Sequence, residues 1–235
     1  MHALRCLVIG AASGIGQSTA ARLLADGLHV VAADLPSATW DTDKDGCLAI
    51  DVGDEDSVRV ALERAEALTS GIDAVVNCAG LLGPVQPAAE HSVADFERIL
   101  RVNLTGAFIV SRAALPPMAS RGYGRLVHFA STAGKEGVAG MTAYSASKAG
   151  VMGLVKALAK EYADSGVTVN AIAPGKIATP LTAGLPPTEE ELARIPLRRY
   201  GTPQEAAALV RWIISRESSY TTGSVFDLSG GRASY

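Results

Sequence analysis

The stretch Leu4-Arg5-Cys6-Leu7-Val8-Ile9-Gly10-Ala11-Ala12-Ser13-Gly14-Ile15-Gly16 decides the fold. Leu4–Gly10 is a short apolar run closed by glycine, which reads as a buried strand. Gly14–Asp26 then takes helical spacing and stops near Gly27. A strand that turns through glycines into a helix leaves free N–H groups and a positive dipole end at the turn. The glycines also let a pyrophosphate approach the backbone. The spacing is G-x-x-x-G-x-G rather than the commoner G-x-G-x-x-G. By itself such a turn is equally a plain tight connection.

The same alternation continues outward. Leu28–Asp34, Ile72–Asn77, Arg125–Ala130, Val167–Ala173 and Ser224–Leu228 read as strands. Asp54–Thr69, Ala94–Met118 (with a bend near Thr105-Gly106), Thr142–Ala163 and Gln204–Ser215 read as helices. Strands alternating with helices imply an α/β fold: a doubly wound parallel sheet with right-handed crossovers and helices on both faces. Ligands of such sheets bind beyond the carboxyl ends of the strands. The 235 residues suit one domain, 1–235. The irregular stretch 180–203, holding Pro186, Pro187 and Pro196, reads as a lid or binding loop.

Composition narrows the function classes. Net charge is −3 and no basic cluster stands out, which argues against nucleic acid as a partner. No apolar run is long enough for a membrane span, and Met1–Arg5 leads directly into a strand, leaving no room for a signal peptide. Cys6, Cys47 and Cys78 form neither a disulfide framework nor a zinc pattern, so no metal site is expected. Small buried hydrophobes in a reducing cytoplasm fit them better.

Two further features carry chemistry. Asp34 ends the second strand, 18 residues after Gly16, where a carboxylate can hydrogen-bond adenosine ribose hydroxyls. It would repel a 2′-phosphate, and neither Ser13 nor Leu35 supplies a compensating positive charge, so NAD is expected over NADP. Tyr144-Ser145-Ala146-Ser147-Lys148 sets a tyrosine and a lysine four apart on one helix face. Free tyrosine is a poor base at neutrality, and a fixed ammonium nearby lowers its pKa. Taken alone, this spacing far more often describes a solvated surface pair.

Together these residues resemble the short-chain dehydrogenases/reductases, of the compact single-domain type. The resemblance runs from Leu4 to about Gly231. Its motifs are Gly10-x3-Gly14-Ile15-Gly16, Asp51-Val52, Asn77-Cys78-Ala79-Gly80, Asn103, Ser131, Tyr144-x3-Lys148, Pro174-Gly175 and Thr179. It implies a three-layer Rossmann fold with about seven strands, and a set of residue roles. Tyr144 would be the acid/base. Lys148 would hold the nicotinamide ribose and depress the Tyr144 pKa, and Ser131 would bond the substrate oxygen. Asn103 would support a proton-relaying water. Gly10, Ser13, Gly14, Ile15, Gly16, Asp34 and Leu35 would meet the adenosine and pyrophosphate. Asp51 and Val52 would lie by the adenine. Asn77, Ala79 and Gly80 would line the cofactor along the third strand, with Pro174, Gly175, Ile177 and Thr179 on its nicotinamide side. Ile9, Cys78 and Leu228-Ser229-Gly230-Gly231 depart from common family residues without touching the catalytic four.

The resemblance implies hydride transfer between a secondary alcohol (or a 3-hydroxyacyl or hydroxysteroid-like substrate) and NAD, in a homo-oligomer, tetramer or dimer. The rival is an NADPH-dependent 3-oxoacyl-carrier-protein reductase, which Asp34 opposes; a non-catalytic cofactor sensor would lack the Tyr/Lys pair. Leu81, Leu82, Val138, Met141, Leu181, Leu185, Leu192 and Ile195 either line an apolar-leaning substrate pocket or pack the lid. Ser145 and Ser147 read as packing or solvent contacts, His91 as a loop or helix entry, His128 as a satisfied core histidine, and Glu189-Glu190-Glu191 as a solvated helix start.

Overall fold

The computed structural model describes residues 3–40, 46–179 and 188–233. Its sheet is built from β1 (Arg5–Ile9), β2 (His29–Asp34), β3 (Leu48–Ala49), β4 (Ala74–Asn77), β5 (Gly124–Phe129), β6 (Val167–Pro174) and β7 (Val225–Leu228). The order is β3-β2-β1-β4-β5-β6-β7, with every pairing parallel. β5 and β6 are buried along their whole length, as expected of strands covered on both faces. The order reverses direction between β1 and β4, which opens a crevice at their carboxyl ends.

Side chains alternate between two cores, one on each face. Leu7, Ile9, Val75, Leu126 and Val169 point into a core closed by α2 (Glu55–Thr69), α4 (Gly106–Ser120) and α6 (Thr142–Glu161). Cys6, Val8, Val76, Val127 and Ile172 point the other way, onto α1 (Gly14–Ala25) and α8 (Pro203–Ile213). The remaining helices are α3 (Val93–Leu100), α5 (Thr132–Glu136) and α7 (Glu189–Ala193). Thr188 caps α7 in a reciprocal capping box with Glu191, so the acidic run is indeed a helix start.

Three features differ from the sequence expectation. β3 is only two residues long and α5 only five, both too short to leave a periodic signal. The bend expected near Thr105-Gly106 is a π-helical turn, Arg101–Thr105, between α3 and α4. A Cβ on Gly106 would come within 2.9 Å of Val52 Cγ2, so glycine lets the helix restart against the β3–α2 connection. The proposed lid lies partly outside the described residues: Leu181, Leu185, Pro186 and Pro187 fall there.

The β1–α1 turn is held by contact between backbones. Gly10 has φ of 79°, and a Cβ on it would sit 2.9 Å from Ala79 N. A Cβ on Gly16 would lie 1.9 Å from Gly10 O, so α1 can start only with glycine there. Gly16→Ala is expected to push α1 away from the turn. The result should be loss of most dinucleotide affinity in a binding titration and a lower Tm, whereas Gly27→Ala, with nothing near its Cβ position, should leave dinucleotide affinity unchanged.

Candidate active site

A cavity of about 420 Å³ lies along the carboxyl ends of the central strands. Gly10, Ser13, Gly14, Ile15 and Gly16 form its β1–α1 wall, with Asp34 and Leu35 at the end of β2. Asp51, Val52, Ala79, Gly80 and Thr179 complete the predicted lining. Leu81, expected at the substrate pocket or in lid packing, lines it as well, and so do Ile9, Ile50, Cys78 and Val102, which the sequence does not single out as lining; the first three of these simply neighbour predicted residues. Asp34 Oδ2 accepts Ala12 N–H at 2.8 Å, and Oδ1 accepts Leu35 N–H at 2.7 Å. The carboxylate therefore steadies the glycine turn while still facing the cavity. Asp51 is similarly fixed, accepting Gly53 N–H at 2.8 Å.

Other predicted cofactor residues stand behind this surface. Asn77 is buried, and its amide oxygen accepts Ala79 N–H at 3.1 Å, so it supports the lining without forming it. Pro174 ends β6, and Gly175 packs so tightly that a Cβ would meet Ser229 Cα at 3.1 Å. Ile177 is buried and bridges to Gly201. None of the four lines the cavity: Asn77 lies behind Ala79, and the β6 end is committed to the 200–201 and 228–229 segments.

Asn103, Ser131, Tyr144 and Lys148 converge next to Gly80 and Leu81. A Cβ on Gly80 would lie 3.2 Å from both Lys148 Nζ and Asn103 Oδ1. The Asn103 side chain grips the Leu81 backbone twice: Leu81 N–H donates to Oδ1 and Nδ2 donates to Leu81 O, both at 2.9 Å. Nδ2 also donates to Ser147 Oγ at 3.0 Å, and Ser147 Oγ donates to Tyr144 O at 2.7 Å. Ser147 is thus fully buried and links the π-helical turn to the tyrosine's own helix, in place of the packing or solvent role expected for it. Its partner lies 44 residues away, so no local pattern could reveal it. Ser145 instead accepts Val138 N–H at 3.2 Å.

Ser131 N-caps α5, accepting Ala133 N–H at 3.1 Å, and its hydroxyl also hydrogen-bonds the Tyr144 phenol. Burial raises the Tyr144 phenol above its usual range, and the Ser131 bond only partly offsets this. The depression expected from Lys148 is therefore not seen in this geometry. Lys148 Nζ lies 5.7 Å from the ring centroid and donates instead to Phe129 O at 2.7 Å. Burial lowers the lysine itself to about 8, opposed by the nearby Cys78 thiol. Burial in turn pushes that thiol up.

The chain belongs to the short-chain dehydrogenase/reductase family: residues 10–233 match the family described as enoyl-(acyl carrier protein) reductase. It is an oxidoreductase of the class acting on CH–OH groups. The chain is 40% identical to 2-dehydro-3-deoxy-L-rhamnonate dehydrogenase (NAD(+)) of Sphingomonas sp. (strain SKA58), over 100% of this chain and 97% of that protein. It is 37% identical to a 3-oxoacyl-acyl-carrier-protein reductase of Thermotoga maritima, over 96% of each. The crystal structure of gox2181 superposes with a TM-score of 0.93 at 28% identity, covering 100% of this chain and 97% of the other.

The buried ammonium yields a prediction with a definite sign. Lys148 titrates near 8 when folded and near ~10.4 when unfolded, so the unfolded chain binds more protons between those values. The destabilisation is complete below about pH 8 and is relieved as pH rises towards ~10.4. Lys148→Met should therefore stabilise the free protein at pH 7, by up to about 3 kcal/mol, while abolishing turnover. Its advantage in Tm should shrink as pH rises through that window.

Proposed function

We propose that the protein interconverts a secondary alcohol and its ketone with NAD, using Tyr144 to give and take the hydroxyl proton. The observation that carries this reading is the convergence of Asn103, Ser131, Tyr144 and Lys148 beside the Gly80–Leu81 edge of a cavity whose lining includes Asp34. The cavity fits a dinucleotide. The backbone-tight glycine turn opens α1 for a pyrophosphate, and Asp34 faces the cavity where its carboxylate would accept hydrogen bonds from ribose hydroxyls. NAD, when bound there, supplies the hydride acceptor or donor.

The chain's own residues manage the proton and the substrate. Ser131 donates to the substrate oxygen and stabilises charge developing there. Tyr144, held as phenol, is ready to donate in ketone reduction. In alcohol oxidation it must first lose its proton, which its raised pKa opposes at neutral pH. Lys148 brings a positive charge to the Gly80 edge and would bond the ribose. Asn103, gripping Leu81, keeps that edge in register with α6 through Ser147. The substrate reading favours a small hydroxy acid or alicyclic alcohol. The rhamnonate dehydrogenase relative and the cyclohexanol dehydrogenase of Acinetobacter sp. (strain SE19), at 34% identity, support it. Asp34 weighs against the 3-oxoacyl-carrier-protein reductase reading with NADPH, because no cation accompanies it among the described residues lining the cavity.

The reading extends to a homo-oligomer in a reducing cytoplasm. Phe108 on α4 is 47% exposed, as a subunit contact would be in one isolated chain, and the three cysteines are free. Among the described residues no helix is long and apolar enough to cross a membrane.

Titration with NAD and NADP, followed by turnover on secondary alcohols, ketones and hydroxyacyl thioesters, tests the proposal. NAD should bind at least ~10-fold tighter than NADP. Tyr144→Phe should lose ~10²–10⁴-fold in kcat yet bind NAD as before. Oxidation by the unaltered protein should climb as pH rises from about 7 towards ~10. Normal turnover by Tyr144→Phe would refute the role of the phenol.

A further inference from the structure

His128 is almost completely buried at 1% exposure, on the sheet face covered by α4, and takes no part in the proton handling described above. It pairs in register with Asn77 across the β4–β5 ladder. Its ring lies inside a chain of hydrogen bonds. Asn77 Nδ2 faces His128 Nδ1 at 3.3 Å, and His128 Nε2 faces Ser111 Oγ at 2.9 Å. Both ends of the chain are backbone groups of fixed polarity. Ala79 N–H can only donate, and does so to Asn77 Oδ1 at 3.1 Å. Ala107 O can only accept, and takes the Ser111 hydroxyl proton at 2.7 Å.

These ends determine every proton between them. With Oδ1 turned to Ala79, the Asn77 NH₂ must face the imidazole, so Nδ1 accepts. With its proton given to Ala107, Ser111 Oγ must accept, so Nε2 carries the hydrogen. The two readings, taken from opposite ends, give one neutral tautomer. A second proton on Nδ1 would set donor against donor. Asn77 could relieve that only by turning its amide, which would face its NH₂ to Ala79 N–H and release that residue. Ala79 and Gly80 line the cavity, and Gly80 lies against Lys148. Burial, with the Lys148 charge added, lowers the imidazole to about 3. The bond directions exclude the charged ring independently of that value.

We infer that His128 is a positioning residue for dinucleotide binding: as a fixed Nε2–H tautomer it ties Asn77, and through it the cavity-lining Ala79–Gly80 segment, to α4. The inference rests on the cofactor reading of the cavity, and its tests separate the two. His128→Phe leaves Asn77 Nδ2 without its acceptor and Ser111 Oγ without its donor, and should raise KM for NAD about ten-fold while moving kcat less than about two-fold. His128→Gln can offer an oxygen to Asn77 and an NH₂ to Ser111, and should recover most of that loss. If His128→Phe does not fold, imidazole ¹⁵N shifts of the unaltered protein decide. His128 should remain an Nε2–H tautomer from about pH 5 to 9. A His128 that titrates in that range, or carries its proton on Nδ1, would overturn the inference. So would a folded His128→Phe with unchanged KM for NAD, or a His128→Gln no better than His128→Phe, in each case with the cofactor reading intact. Failure of the unaltered protein to bind NAD would overturn both.

Discussion

Everything in this site is arranged around a lysine ammonium taken out of water. Lys148 is 4% exposed, and among the described residues no carboxylate forms an ion pair with it; Phe129 O is the partner its Nζ holds at 2.7 Å. A buried charge of this kind is costly, and the cost shows as a lysine shifted down to about 8. The surroundings explain why the ammonium can stay there. α5 and α6 approach so closely that a Cβ on Gly134 would meet Ala149 N at 2.6 Å, which fixes the helix carrying Lys148. Gly80, opposite, has no side chain to displace Nζ. The protein keeps an unfavourable charge at the edge of its cavity, as functional sites do when stability and activity conflict.

Burial, more than this cation, sets the state of its neighbours. His128 must remain neutral beside it, and does so through bonds whose direction the backbone dictates. The Tyr144 ring lies 5.7 Å from the ammonium, but burial, offset only in part by the Ser131 bond, raises its pKa, so the phenol is the resting form. On the proposed role of Tyr144, a site poised this way would be prepared to donate a proton to a ketone and would need alkaline conditions to take one from an alcohol. The polar groups behind the cavity, Asn77, Asn103 and Ser147, are buried and satisfied, which makes the lining rigid rather than adaptable.

How far the site could be read from sequence follows from the range of each interaction. The glycine turn, Asp34 and the Tyr144/Lys148 pair were legible because each is a local pattern attached to a strong strand or helix signal. β3 and α5 were not, being shorter than any period they could express. Ser147 looked like an ordinary helix-face serine, since its meaning comes from Asn103 on another helix. The Asn77 motif was recognised but assigned to the cofactor surface. The structure moves it one layer inward, where its oxygen holds Ala79 and its amide nitrogen holds His128. His128 was read as a satisfied core residue, which is correct, yet its link to the cavity wall depends on Ser111 and Asn77 meeting it from two sides.

The account stands on Lys148 being a buried ammonium with a lowered pKa. The most direct measurement is an NMR titration of the free protein with ¹³Cε-labelled lysine, using Lys148→Met to assign the resonance. Lys148 should titrate near 8, well below the ~10.4 of an unperturbed lysine in water. A Lys148 resonance that titrates at the ~10.4 of an unperturbed lysine would contradict the account.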